Sequence, residues 1–259
     1  VEPALRAHAA TRVKHGAIRR RIGLGICMDD VPMGSRMSAK RVLIALAGTV
    51  VSTGVIGGTL WICAGRWDLP FVWAYLAVFA LMCLSGLLFL DEGLIRERIR
   101  PGGKGKDGEL IPIAKVLFTA HLVIAGIDIG RFHFSDGAPD ALKIVGLAVF
   151  AIFGAATVWI MCVNRFFSAI VRIQSDRGHQ LVSGGPYTLV RHPGYVVISI
   201  LILSSGVALG SWWSIAPNAA FVLLILRRTR LEDRYLHEHL EGYREYAERV
   251  RYRLIPGLW

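Results

Sequence analysis

The sequence predicts an all-α integral membrane protein with about six membrane helices (five to six), a C-terminal helical hairpin and cytoplasmic C-terminal helices. Three observations predict this. Of the 259 residues, 54% are hydrophobic, and the mean hydropathy is +0.48, more apolar than a soluble domain of this size averages. Several charge-free runs approach the ~20 residues needed to cross ~30 Å of hydrocarbon. The Lys and Arg residues behind the net charge of +11 lie between those runs and, once the spans are threaded, on one side, which is positive-inside sorting. That sorting places both termini in the cytoplasm. It also argues against a nucleic-acid partner, which a pI near 10.0 would otherwise suggest.

Residues 1–41 are a basic N-terminal region with Arg12, Lys14, Arg19, Arg20, Arg21, Arg36, Lys40 and Arg41. They lack the apolar core and small-residue cleavage site of a signal peptide. The segment reads as a poorly ordered tail beside anionic lipid, or as an extension upstream of a start at Met37. Residues 42–163 are expected to form a four-helix membrane region with spans over 42–63, 71–90, 111–129 and 141–163. Residues 64–70 make a short outer turn and 130–140 a small outer loop. Residues 91–109, with Arg96, Arg98, Arg100, Lys104 and Lys106 and a Pro-Gly-Gly break at 101–103, form an inner loop.

Residues 164–259 form the third region, the expected catalytic one. An interfacial connector runs to residue 189. A fifth span over 195–210 and a sixth helix follow, the apolar part of the sixth ending at Leu226 and the helix itself continuing to about His239. A hairpin returns its two ends to one membrane surface, so the polar clusters at those ends meet there.

The four cysteines, Cys27, Cys63, Cys83 and Cys162, have no metal or CxxC spacing. His237 and His239 are two apart and do not share a helix face, so no metal is expected. Inside the third span, His121 reads either as a functional group or as a bond to a neighbouring helix; Asp128 sits at the outer boundary. Ser199, Ser204 and Ser205 read as helix-packing groups.

The first polar cluster contains Gly185-Pro186-Tyr187 and Arg191-His192-Pro193-Gly194-Tyr195. Pro193 disfavours helix at His192 and suits the first helical position, so Arg191 and His192 flank a helix N-terminus that favours anions. They read equally as lipid-headgroup anchors. In the second cluster, Arg228 and Glu232 are four apart and share a helix face. They read as binding groups or as a surface ion pair.

These clusters resemble the isoprenylcysteine carboxyl methyltransferase family. The likeness rests on Gly185-Pro186-Tyr187, Arg191-His192-Pro193-Gly194-Tyr195, Glu232-Asp233 with Leu236, Tyr243 and Tyr246, and Ile255-Pro256, and it covers about the last eighty residues. Two positions depart from the pattern: Asp233 replaces a second Glu, and Val197 stands where Gly is frequent.

The resemblance implies a membrane-embedded methyltransferase using S-adenosylmethionine, with its site on the cytoplasmic side. Leu181, Val182, Gly185, Pro186, Tyr187, His192, Pro193, Tyr195 and Glu232 would form the cofactor site. Arg191, Arg228 and Glu232 would serve the reaction, the two arginines lying near a reacting carboxylate or holding the pocket. The acceptor would be the carboxylate of an isoprenylcysteine or a similar prenyl or lipid substrate drawn from the bilayer. Phospholipid amine N-methylation, NADPH-dependent lipid or sterol reduction, and a non-catalytic membrane role remain as alternatives. The oligomeric state is left open.

Overall fold

The computed structural model describes residues 39–259, so all but the last three residues of the expected basic tail lie outside the described residues. Residues 39–41 already belong to the first helix. The described elements are α1 (Ala39–Ala64), α2 (Pro70–Phe89), α3 (Glu92–Ile99), α4 (Leu110–Ile127), α5 (Asp140–Val163), α6 (Pro193–Leu209), α7 (Ile215–His239) and α8 (Tyr243–Arg249). A widened turn over Asp128–Phe132 prolongs α4.

One element departs from expectation. The inner loop at 91–109 contains α3, whose start and end are both written in the sequence. The Asp91 carboxylate accepts the Leu94 N–H at 3.0 Å, which caps the helix. Glu92 lies in the first turn and Arg96 and Arg98 in the last, the charge order that the helix dipole favours.

Helices α1, α2, α4 with its extension, and α5 are long and apolar enough to cross a membrane, yet only 22–28% of each apolar window is buried inside the protein. Leu43, Val50 and Ile62 of α1, Leu81 of α2, Val116 of α4 and Ile152 of α5 are exposed. Apolar surface on this scale needs a non-aqueous partner, which a bilayer supplies. The protein is therefore an integral multi-pass membrane protein.

The core lies where α1, α2, α4, α5 and α6 meet. Leu60, Val72, Tyr75, Leu122, Phe150 and Ala208 pack into one cluster. Helix α6 lies along α5 at Gly146, where a Cβ would stand 2.7 Å from the Ala208 nitrogen; only glycine admits that approach. His121 takes its place inside this core, with Nε2 2.8 Å from the Ser205 hydroxyl, which donates in turn to the Tyr75 hydroxyl at 3.0 Å. Here it links α4, α6 and α2.

A buried aspartate organises each end of the bundle. At one end, Asp128 accepts the Ser135 hydroxyl and the Ser211 hydroxyl, each at 2.6 Å, and so joins the α4–α5 loop to the α6–α7 turn. At the other end, Asp233 gathers the two arms of the hairpin. Helix α6 has 17 residues, about 25 Å of rise, and the same number of steps along α7 leads from Ile215 to Glu232. Glu232 and Asp233 thus return to the level of His192.

Candidate active site

The geometry begins at His192. Pro193 opens α6, and His192 precedes it in a non-helical conformation, φ −126° and ψ 59°. The backbone N–H groups of Arg191 and His192, left outside the helix, donate to the carbonyls of Tyr252 and Arg253, each at 2.9 Å. The C-terminal segment is thereby laid against the entrance of α6, and it carries Tyr243, Tyr246 and Arg253 to the same place.

Asp233 is the electrostatic centre of this assembly, with its side chain 2% exposed. Its carboxylate accepts from Arg191 Nε at 2.8 Å, Arg191 Nη2 at 3.2 Å, the Tyr243 hydroxyl at 2.9 Å and Arg253 Nε at 2.8 Å, and it lies 3.3 Å from His192 Nε2. Burial pushes its acid up, but hydrogen bonds from His192, Arg191 and Arg253 outweigh burial and hold it far below the usual carboxylate range. Burial, and then the field of Asp233, raises the Tyr243 phenol and keeps it a donor. The Asp that departs from the expected Glu is thus the residue on which both arms of the hairpin and the C-terminal segment converge.

Arg191 has little left to offer a ligand. Besides its two bonds to Asp233, Nη1 donates to the carbonyls of Val250 and Arg251, each at 2.8 Å. Glu232 differs: one oxygen accepts the Tyr195 hydroxyl, and the other has no partner among the described residues.

Together these groups line a narrow cleft with about 450 Å³ of atom-free space, its mouth included. Leu181, Val182, Tyr187, Arg191, His192, Tyr195 and Glu232 all line it. Gly185, Pro186 and Pro193 do not. Gly185 and Pro186 form the tight turn that seats Tyr187, and Pro193 sets the start of α6. Val197 packs against the cluster of Ile160, Tyr187, Tyr243 and Tyr246 behind the cleft. Arg228 lies outside it, paired with the buried Asp107 at 3.2 Å and donating to the Ala169 carbonyl at 2.8 Å.

Arg228 lines a second, open groove, with about 840 Å³ of atom-free space, its mouth included, beside Leu110, Phe118, Phe221 and Ile225 between α4 and α7. Its guanidinium also sits 5.7 Å from the centre of the Tyr195 ring, and Tyr195 belongs to the first cleft. The two spaces therefore share a wall.

Several lining residues carried no advance signal. Phe167 packs on Gly194, where a Cβ would stand 2.4 Å from its ring. His179 accepts the Gln174 N–H at 3.2 Å; burial and the nearby Arg172 and Arg177 push its imidazolium down to about 4. Neither residue belongs to a motif, and only the folding of the connector brings them to the cleft. The connector is fixed by Arg172, which donates to Glu97 at 2.7 and 2.6 Å.

Among the described residues, no group of three or more His, Cys, Asp or Glu could hold a metal ion. His237 and His239 turn their Nδ1 atoms to the carbonyls of Asp233 and Tyr235 at 2.7 and 2.9 Å. The donor set of the cleft suits a small cation carrying an aromatic group instead. Tyr187, Tyr195, Tyr243 and Phe167 line it with aromatic rings, and Glu232 has an acceptor to spare. S-adenosylmethionine, with its sulfonium, ammonium and adenine, fits that set.

Comparison with known proteins points the same way. Residues 144–238 match the isoprenylcysteine carboxyl methyltransferase (ICMT) family. A cobalt-zinc-cadmium resistance protein, CzcN, of Cupriavidus metallidurans is 36% identical over 98 residues, 38% of this chain and 45% of that protein. Probable protein-S-isoprenylcysteine O-methyltransferases of Oryza sativa subsp. indica and subsp. japonica are each 31% identical over 96 residues, 35% of this chain and 49% of theirs. The chain spans about half the length of the curated relatives it matches.

Proposed function

From a region, residues 144–238, that belongs to the isoprenylcysteine carboxyl methyltransferase family, we propose that the protein is a membrane methyltransferase. It uses S-adenosylmethionine to methylate the carboxylate of an isoprenylcysteine or a similar prenyl or lipid acceptor. The observation that carries this is the shared wall at Tyr195, with a polar, aromatic cleft on one side and an apolar groove ending in Arg228 on the other.

When bound, S-adenosylmethionine supplies a methyl group already activated on a sulfonium. A carboxylate at neutral pH is already a nucleophile, so the chain needs no general base. Its residues must align two ligands and exclude water. Glu232 answers the donor's positive charge, and Tyr195 holds Glu232. Tyr187, Tyr243 and Tyr246 shield the donor with their rings. Arg191, its donors spent on Asp233 and two carbonyls, holds the wall. Arg228 reaches the acceptor at the end of the groove. Because Asp107 already shares its charge, Arg228 orients the carboxylate without burying its reactivity in a tight ion pair. The apolar groove between α4 and α7 receives the acceptor's chain from the bilayer. The site end, with both termini, faces the cytoplasm.

Titration of purified protein with S-adenosylmethionine tests the site. His192→Ala and Glu232→Ala are each expected to weaken binding by about tenfold or more, the cost of a lost charged hydrogen bond. Unchanged affinity in both variants overturns the assignment. A labelled methyl group offered with an S-prenylcysteine is expected in a base-labile ester. Label in a base-stable phospholipid amine, or stabilisation by NADPH instead, would replace this reading with another.

A further inference from the structure

Every arginine of the described residues that is at least partly shielded from solvent pairs with a carboxylate, with one exception. Arg41 meets Glu92, Arg172 meets Glu97, Arg177 meets Asp91, Arg228 meets Asp107, and Arg191 and Arg253 meet Asp233. Arg98 meets none. Its Nη1 donates to the Phe167 carbonyl at 3.1 Å, and its remaining donors have no partner among the described residues. A guanidinium drawn out of water without a counter-charge is costly. Burial and the nearby Arg228 both lower its hold on the proton.

The position of Arg98 gives that cost a use. Its guanidinium lies 5.7 Å from the centre of the Phe167 ring, Phe167 lies 6.2 Å from Tyr195, and Arg228 lies 5.7 Å from the Tyr195 ring. The two aromatic rings of the cleft wall are thus bracketed by two guanidiniums. Asp107 answers the charge of Arg228, so the charge of Arg98 is left over beside Phe167, a residue of the cleft wall, and it matches one anion. Arg98 lies on α3, outside residues 144–238, so none of the motifs that suggested the site includes it.

We infer that Arg98 binds the acceptor's carboxylate from the side opposite Arg228, and so selects a lipid acid over a neutral lipid. This rests on the carboxylate reading above. It gives α3 a function: the capped helix holds one guanidinium against Phe167 of the cleft wall.

The test is binding of S-farnesylcysteine and of its carboxamide to the full-length protein in lipid nanodiscs. Wild type is expected to prefer the carboxylate. Arg98→Gln, which can still donate to the Phe167 carbonyl, is expected to bind the carboxylate about ten- to hundredfold more weakly, the cost of one charge-assisted hydrogen bond. Its affinity for the carboxamide and for S-adenosylmethionine is expected to stay unchanged, the latter showing that the site is still folded. Arg98→Lys is expected to recover part of the preference. An unaltered preference in Arg98→Gln overturns the inference and leaves the proposed reaction standing. Wild type that binds neither probe overturns the acceptor reading and this inference with it.

Discussion

At the scale of single residues, the site depends on a carboxylate that does not itself need to touch a ligand. Asp233 is buried under Arg191, Arg253, Tyr243 and His192. Replacing it with Asn keeps the shape and strands two guanidiniums. Breaking a buried pair from one side costs about 3–5 kcal/mol, so Asp233→Asn is expected to lower the thermal midpoint markedly in detergent. The pH dependence has a definite sign. The Asp233 carboxyl is held well below its ordinary range in the folded protein, so its contribution is complete above the unfolded value of about 4 and is lost as pH falls below it. The gap in midpoint between wild type and Asp233→Asn should therefore be widest near neutral pH and narrow from about pH 4 downward. A gap that stays constant through that window would remove Asp233 from the account of acid stability.

At the scale of elements, the site depends on two helices meeting closely enough to fix where α6 begins. Gly146 of α5 touches the backbone of α6 at Val207 and Ala208. Gly146→Val must push α6 outward, and overpacking of this kind costs about 1–3 kcal/mol. Because α6 carries Tyr195 at its first turn, the same variant is expected to weaken S-adenosylmethionine binding from some distance away. Titration alongside thermal unfolding measures both effects, and lost stability with intact binding would show the start of α6 to be set by the C-terminal segment alone.

The spans and the hairpin were legible in the sequence, because apolar runs of fixed length between basic segments report the bilayer directly. His192 before Pro193, and Arg228 with Glu232 on one helix face, were legible for similarly local reasons. Asp233 was not. It follows Glu232 in the chain but points about 100° away on the helix, and only the fold says which of the two neighbouring acids is buried. Helix α3 hid among charges before a Pro-Gly-Gly break, although Asp91 and Glu92 mark its start. Phe167 and His179 reach the cleft, and Arg98 reaches Phe167, through long-range bonds such as Arg172 to Glu97, which local pattern does not encode.

At the scale of the whole molecule, the two ends of the bundle differ in charge, and this is expected to set how the protein sits in a membrane. The Asp128 end carries Arg66 and Arg131 in its loops. The Asp233 end carries Arg96, Arg98, Arg100, Lys104 and Lys106 in one segment, Arg165, Arg172, Arg177 and Arg191 in a second, and Arg227 to Arg253 in a third. Long-range bonds place these segments together: Arg172 meets Glu97, and Arg228 meets Asp107. An excess of Lys and Arg this lopsided orients a multi-pass protein with the basic end inside. Single cysteines at Lys104 and Gly137, both exposed and at opposite ends, introduced into a cysteine-free background, report the orientation. In sealed right-side-out vesicles, a membrane-impermeant maleimide is expected to label Gly137→Cys at once and Lys104→Cys only after the vesicles are opened. Labelling in the reverse order would put the cleft on the outer face, out of reach of the proposed cytoplasmic methyl donor.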